Sequence, residues 1–266
     1  MIEANDSVQP QDLLPEERRK VIQKFLLENG SVRTTVLAAQ INVSPITVRR
    51  DLRELAESEE IRLVHGGAVL AAPVLPVTNQ DLSVKRDTNI EAKTEIAKKA
   101  ASLIKDGDII ALNSGSTMEL IINYFPTDFN SLTVIALGLN VACAAAQLPY
   151  VNLIVPGGTL RRSSQAFVGI NAVHFLAGLR IDKGFFGAQA VDVEAGFTES
   201  SLEEVATNKQ LLEICTHRYL AADSSKYGRV AVGKICDLDE FDGLIIDSNA
   251  PKTLHSWAAA TGTQLI

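Results

Sequence analysis

Ser44-Pro45-Ile46-Thr47-Val48-Arg49-Arg50-Asp51-Leu52-Arg53-Glu54-Leu55 is the stretch whose reading decides the fold. The Ser44 hydroxyl can cap a helix by accepting from a free backbone N–H. Pro45 suits the first helical position, where no N–H is needed. Val48, Leu52 and Leu55 recur at i, i+4 and i+7 and form one apolar stripe. The other face carries Thr47, Arg49, Arg50 and Arg53, side chains that reach phosphates and base edges. Ile46 has no partner in the stripe, and a thymine methyl would be a fitting neighbour. The plainer alternative is an amphipathic helix with a solvated charged face, because Asp51, Glu54 and Glu57 nearly balance the arginines.

The flanking chain favours a DNA reader. Residues 15–28 have helical spacing, with Val21, Ile22, Phe25 and Leu26 on one face, and Asn29-Gly30 ends that helix. Thr34 or Thr35 can cap a short second helix with Val36, Leu37 and Ile41 facing inward, and Asn42-Val43 turns the chain into Ser44. Three helices with a tight turn before the third match a helix-turn-helix. Residues 61–64 and 68–70 then read as two short strands joined at His65-Gly66-Gly67, which would form a wing.

With these residues in place, the segment 15–70 resembles the N-terminal winged helix-turn-helix of DeoR-type bacterial transcription regulators. The resemblance rests on Val43-Ser44-Pro45, Thr47-Val48-Arg49-Arg50-Asp51-Leu52, Leu55 and His65-Gly66-Gly67-Ala68. It implies a helix-turn-helix at about 32–51 that binds double-stranded operator DNA. The DNA-facing residues would be Thr34, Ser44, Pro45, Ile46, Thr47, Arg49, Arg50 and Arg53, with Arg62 and His65 in the wing. The family usually has a basic residue two places before the wing histidine. Here that place is Leu63, with Arg62 beside it. Taken alone, His65 reads as a packing or turn residue.

The chain has 266 residues, 46% of them apolar, which suits two domains and a substantial core. No apolar run approaches the length of a transmembrane helix, so no membrane partner is expected. Residues 1–14 are acidic and polar, unlike a signal peptide, and read as a loose tail. Cys143, Cys215 and Cys236 are widely spaced and read as free buried thiols of a reduced cytoplasm. The four histidines are scattered, so neither a metal site nor a cofactor is expected. The net charge of −7 is unevenly spread, since residues 15–70 carry nine basic and eight acidic side chains. One such module holds too little positive charge to bind DNA tightly through phosphates, which points to a homodimer or homotetramer.

Residues 71–84, with Pro73 and Pro76, read as a semi-stiff linker. Beyond it, residues 85–266 alternate short apolar strands (108–112, 132–136, 151–155, 183–186, 219–222, 244–246) with helices (90–104, 118–124, 139–147, 202–214, 254–260). This is the pattern of an α/β domain around a mostly parallel sheet. Ligands bind such sheets beyond the carboxyl ends of the strands. Asn113-Ser114-Gly115-Ser116-Thr117 lies there and could cradle a phosphate, or be a plain capped turn. Pro156-Gly157-Gly158-Thr159-Leu160-Arg161-Arg162 could bring an arginine to an anion, or be a surface turn. Asp223-Ser224-Ser225-Lys226-Tyr227-Gly228 could set Lys226 over an anion, or hold it in a local ion pair. Lys93 and Lys209 read most simply as surface lysines. Asp192, Glu199 and Glu204 could receive sugar hydroxyls, though exposed acids are common.

Together these loops resemble the C-terminal sensor domain of the same DeoR-type family over about 85–247. The matching pieces are Gly107-Asp108, Gly115-Ser116-Thr117, Leu139-Asn140, Gly157-Gly158-Thr159-Leu160-Arg161, Asp182-Lys183 with Gly187, Gly196-Phe197-Thr198, Glu204, Lys209 and Asp223-Ser224-Ser225-Lys226-Tyr227-Gly228. That domain is similar in fold to sugar-phosphate isomerases. The resemblance implies a phosphorylated sugar effector held by Ser114, Gly115, Ser116, Thr117, Asn140, Gly157, Gly158, Arg161, Asp192, Glu204, Lys209 and Lys226. Asn113 departs from the aspartate often found before this loop. The expected protein is a repressor of a carbohydrate-utilisation operon, released from its operator by the effector. The alternatives are a sugar-phosphate isomerase or deaminase carrying a DNA-binding module, and a phosphosugar-binding scaffold. No motif sets a base against a substrate carbon, so no catalytic residue is assigned.

Overall fold

The computed structural model describes residues 15–29, 31–56, 61–64, 66–70 and 82–266. His65, Glu57, the tail at 1–14 and most of the expected linker, 71–81, lie outside the described residues. The chain divides into two compact units, Met1–Pro73 and Val74–Ile266.

In the first unit, α1 (Pro15–Asn29), β1 (Ser31–Arg33), α2 (Thr34–Gln40) and α3 (Pro45–Ala56) precede β2 (Ile61–Val64) and β3 (Gly67–Leu70). The strands form an antiparallel sheet in the order β1-β3-β2. The short β1 has no sequence signature of its own: three residues acquire strand geometry only because β3 offers them an edge. Ile22, Leu26, Leu37, Val48, Leu52 and Ala68 close the core between helices and wing. Two residues read as core face outward, Val21 at 40% and Val36 at 47% exposure. In each case the adjacent residue, Ile22 or Leu37, takes the buried position. Thr34 does not cap α2. Arg33 holds the N-cap position, while Thr34 is the first helical residue, buried, and its N–H donates to the Gly66 carbonyl at 2.9 Å.

The second unit runs α4 (Leu82–Asp87), α5 (Ile90–Ser102), β4 (Ile109–Leu112), α6 (Ser116–Ile122), β5 (Leu132–Ala136), α7 (Leu139–Ala145) and β6 (Val151–Ile154). It continues through β7 (Thr159–Arg161), β8 (Ala166–Val168), α8 (Ile170–Ala177), β9 (Ile181–Gly187), β10 (Ala190–Asp192), β11 (Gly196–Glu199) and α9 (Leu202–Ile214). It ends with β12 (Cys215–Ala221), β13 (Gly233–Cys236), β14 (Gly243–Ile245), α10 (Lys252–Thr261) and β15 (Gln264–Leu265). Residues 82–84, read as linker, open α4 instead.

Seven parallel strands form the central sheet in the order β15-β14-β12-β9-β4-β5-β6. Both faces are buried, and successive residues alternate between two cores. Ile110, Leu112, Val134, Ala136 and Phe185 enter one core, while Ala111, Ile135 and Phe186 enter the other. This period of two, with apolar residues at every position, is what a sheet covered on both faces requires. A three-stranded antiparallel sheet (β10-β11-β13) and the β7-β8 ribbon are added at the strands' carboxyl ends. Of the three thiols expected to be buried, Cys215 and Cys236 are, and burial pushes both up to about 12. Cys143 is exposed on α7.

Candidate functional site: an arginine-faced helix and a lysine-lined cleft

Sequence locally dictates the shape of α3. The Ser44 hydroxyl accepts from the Thr47 N–H at 3.1 Å, which makes Ser44 the N-cap and Pro45 the first helical residue. Val48, Leu52 and Leu55 are buried as their spacing demands, and Asp51 joins them at 2% exposure. Ile46, Arg49, Arg50 and Arg53, at i, i+3, i+4 and i+7, form the opposite, exposed stripe. Ile46 stands 76% exposed at its start.

The acids that seemed to balance these arginines point elsewhere. Asp51 receives two donors from Arg18 of α1, Nε at 2.5 Å and Nη2 at 2.9 Å. Glu54 accepts from Arg19 of α1 and, at 3.3 Å, from Arg50. The Arg50 side chain is 81% exposed, and such a surface pair exchanges readily for a phosphate. The described acids of α3 therefore dock α1, and the arginines keep the outer face. Of the other residues expected at DNA, Thr34 is buried and so faces away. Arg62 lies on β2 with its side chain outside the described residues.

In the second unit the strand order reverses at β4. The chain runs from β4 to β5 and β6 on one side, then returns to β9 on the other. Connections diverge there and leave a crevice at the carboxyl ends. The crevice is a cleft of ≈ 650 Å³, open mouth included, lined by residues 113–117 after β4, 187–189 after β9, Lys226 after β12, Glu199 and Glu204, and Lys85 and Lys93. Gly115 takes φ 123°, a conformation L side chains rarely adopt, so the 113–117 loop requires glycine there.

Asn113 is a structural clasp. Its amide donates to the Gly187 carbonyl and to Asn208 Oδ1, each at 3.0 Å, and its Oδ1 accepts from the Gly187 N–H at 2.8 Å. An aspartate could not make the two donations, which accounts for asparagine at this place. Asn140, expected at the effector, stands behind the loop and donates to the Gly115 carbonyl at 3.1 Å and to Glu119 at 3.0 Å. It positions the loop and does not line the cleft.

Three lysines face the loop. Lys93 is buried on α5, and its ammonium donates to the carbonyls of Lys85 and Thr88. Burial lowers its pKa, as do the charges of Lys226 and Lys85, while Asp223 opposes. Lys226 is likewise lowered by burial first, with Asp223 opposing and the charges of Lys85 and Arg229 adding to the lowering. Among the described residues none of the three lysines is within ion-pair distance of a carboxylate. Sequence reading missed Lys93 and Lys85. The signal for Lys93 was present: it sits three and four residues before Ile96 and Ala97, on the buried stripe of α5. Lys85 was missed because the sequence reading has no helix at 82–87: residues 82–84 read as linker and Lys85 only as the start of the sensor domain.

The acids lie elsewhere along the same cleft. Glu204, N-capped by Ser201, accepts from Arg161 at 3.0 Å, Ser164 at 2.8 Å and Ser114 at 3.3 Å. Arg161 thus reaches the cleft through Glu204. Glu199, 8% exposed, takes its N–H and O–H donors from Ser200 and forms no ion pair among the described residues. Burial, and then the charge of Glu204, push it up to about 7.

Besides Asn140 and Arg161, four more expected effector residues fall outside the cleft. Gly157 and Gly158 turn the chain from β6 into β7. Gly158 has φ 97°, and a Cβ there would meet the Val168 carbonyl at 2.6 Å. Asp192 caps the β10–β11 turn by accepting from the Glu194 and Ala195 N–H groups. Lys209 is exposed on α9. The structure brings together Ser114, Gly115, Ser116, Thr117, Glu204 and Lys226.

An arginine-faced helix in one unit and an ion-lined cleft at a sheet switch point in the other fit the class of DNA-binding regulators. The profile of the DeoR-like helix-turn-helix domain matches residues 18–74, and that of the DeoR C-terminal sensor domain matches residues 88–248. A lactose phosphotransferase system repressor of Staphylococcus epidermidis is 35% identical over 88% of this chain and 92% of its own length. The glycerol-3-phosphate regulon repressor of Escherichia coli K12 is 30% identical, again over 88% and 92%. Ribose 5-phosphate isomerase A of Methanocaldococcus jannaschii aligns over 53% of this chain and 55% of its own, at 20% identity and a TM-score of 0.38. The chain belongs to the DeoR family of DNA-binding transcription regulators, and it is a regulator rather than an enzyme. Among the described residues no helix is long and apolar enough to cross a membrane.

Proposed function

We propose that the protein is a cytoplasmic repressor of a carbohydrate-utilisation operon, released from its operator by a phosphorylated sugar or sugar derivative held in the sensor cleft. The observation that carries this reading is the convergence of Lys85, Lys93 and Lys226, without ion-paired carboxylates among the described residues, on the 113–117 loop. Three half-buried or buried cations face one loop, two of them, Lys93 and Lys226, lowered chiefly by burial, and a phosphate dianion would pair with all three. Beyond the anion, Glu199 and Glu204 accept hydrogen bonds from sugar hydroxyls. At the other unit, Ile46, Thr47, Arg49, Arg50 and Arg53 enter the major groove, with Ser44 and Pro45 setting the helix start. Two or four chains pair so that several recognition helices read one operator.

The test uses duplex DNA from upstream of the protein's own gene, in gel shifts at low ionic strength, with and without hexose 6-phosphates and glycerol 3-phosphate. Binding that one of these ligands releases is the expected result. Arg50→Ala is expected to weaken DNA binding by about 1–3 kcal/mol while leaving ligand-induced thermal stabilisation intact. Indifference to the DNA under every condition would overturn the reading.

A further inference from the structure

The first described element after residues 71–81 is α4, and it is wired to the cleft from several directions. Leu82 and Lys85 line the cleft directly. The carbonyl of Lys85 accepts from Lys93 Nζ and, at 3.3 Å, from Ser116 Oγ. The carbonyl of Thr88, just past the helix, accepts from Lys93 at 2.6 Å. On its outer side, Arg86 grips Glu119 of α6 with two bonds, both 2.8 Å. Glu119 in turn accepts from Asn140, whose amide also holds the Gly115 carbonyl. Short as it is, α4 thus has as its fixings the groups that build the lysine-lined loop.

We propose that α4 is the output strap of the sensor: an anion on the 113–117 loop draws Lys85 and tightens α4 where the chain enters this unit, and Arg86 is the positioning residue that keeps the strap on α6. This rests on the anion-site reading above. The physical reason is differential contact. A ligand shifts only those elements whose states it binds unequally. Lys85 belongs to α4, so an anion beside it binds the seated strap better than a displaced one. Lys93 and Ser116 carry the same preference, because each holds an α4 carbonyl while facing the anion. Arg86 does not line the cleft, so its contribution passes through the Glu119 grip.

The experiment is hydrogen exchange by mass spectrometry on the full chain, with and without inorganic phosphate, alongside thermal shift. In the parent protein phosphate raises the melting temperature and slows exchange over residues 82–88 about tenfold or more. Arg86→Ala binds phosphate within about threefold of the parent, since an exposed ion pair is worth little by itself, but loses the slowing over 82–88. Arg86→Lys, which keeps the charge without the two-pronged grip, falls between. A parent protein that is stabilised by phosphate with exchange at 82–88 unchanged would overturn the strap and leave the anion site standing. Full slowing in Arg86→Ala would overturn the role of Arg86. Absence of any thermal shift with phosphate removes the anion site itself, and the strap with it.

Discussion

Asp51 of the winged-helix unit and Glu199 of the sensor unit are sealed from water to nearly the same degree, at 2% and 8% exposure. Their surroundings differ in kind. Asp51 takes two donors from Arg18 and closes a gap between α3 and α1. Glu199 has the N–H and O–H of Ser200, a neighbouring acid in Glu204, and open cleft. A buried acid with a cation in place holds the structure together, whereas one that borders an open cleft with no ion-paired cation among the described residues is placed to meet a ligand. The lysines repeat the lesson. Those of the cleft form no ion pair among the described residues, while Lys183 on β9 pairs with Asp108 and is structural.

The comparison is broken most severely at Arg18. Arg18→Ala leaves Asp51 buried and uncompensated, at a cost of about 3–5 kcal/mol. The winged-helix unit should melt early in calorimetry and DNA binding should vanish, while stabilisation of the sensor unit by phosphate persists. If the small unit keeps its melting temperature, Asp51 is not the buried anchor described here.

Lys226→Ala should act on the other unit alone. Losing one charge-assisted hydrogen bond to an anion costs about 1.5–3 kcal/mol, or roughly 10- to 150-fold in phosphate affinity by calorimetric titration. The ligand-free melting temperature should hold or rise, since a half-buried cation is removed from two like charges. Unchanged affinity would place the anion elsewhere.

The smallest expected effect is a pH dependence at Glu199. Its folded pKa is raised from 4.5 to about 7, so the folded state holds the proton that the unfolded chain has already released. Stability is therefore greatest below the lower value and declines as pH rises towards the higher one. Glu199→Gln, which keeps an acceptor for Ser200, should flatten this decline. Melting scans of the ligand-free protein from about pH 5 to about pH 8 would show it, and parallel slopes in both proteins would count against the assignment.

How far these features could be read beforehand depended on whether their causes were local. The cap at Ser44, the α3 stripe, β2, β5 and α9 were legible because capping, helical spacing and strand alternation act over a few residues. The sense of Asp51 and Glu54 was not. Their sequence neighbours are arginines of the same helix, yet their partners, Arg18 and Arg19, lie more than thirty residues away. The elements β7, β8, β10, β11 and β13 were missed for a related reason. Each is three or four residues long and becomes a strand only when a distant edge supplies its hydrogen bonds.

By itself the sequence determined the family, the reader helix with its outward arginines, the parallel α/β plan and the glycine-bearing loop at 113–117. These follow from periodicities and residue types that one turn or one strand suffices to interpret. The tertiary structure alone decided which charges meet. It turned Lys93 from a surface residue into a cleft lysine, brought Lys85 and the sequence-distant Lys226 beside it, and sent Asp192, Lys209 and the Gly157-Gly158 turn elsewhere. Charge interactions depend on distance through space and on how much water remains between the groups, and neither quantity is written in the spacing of residues along a chain.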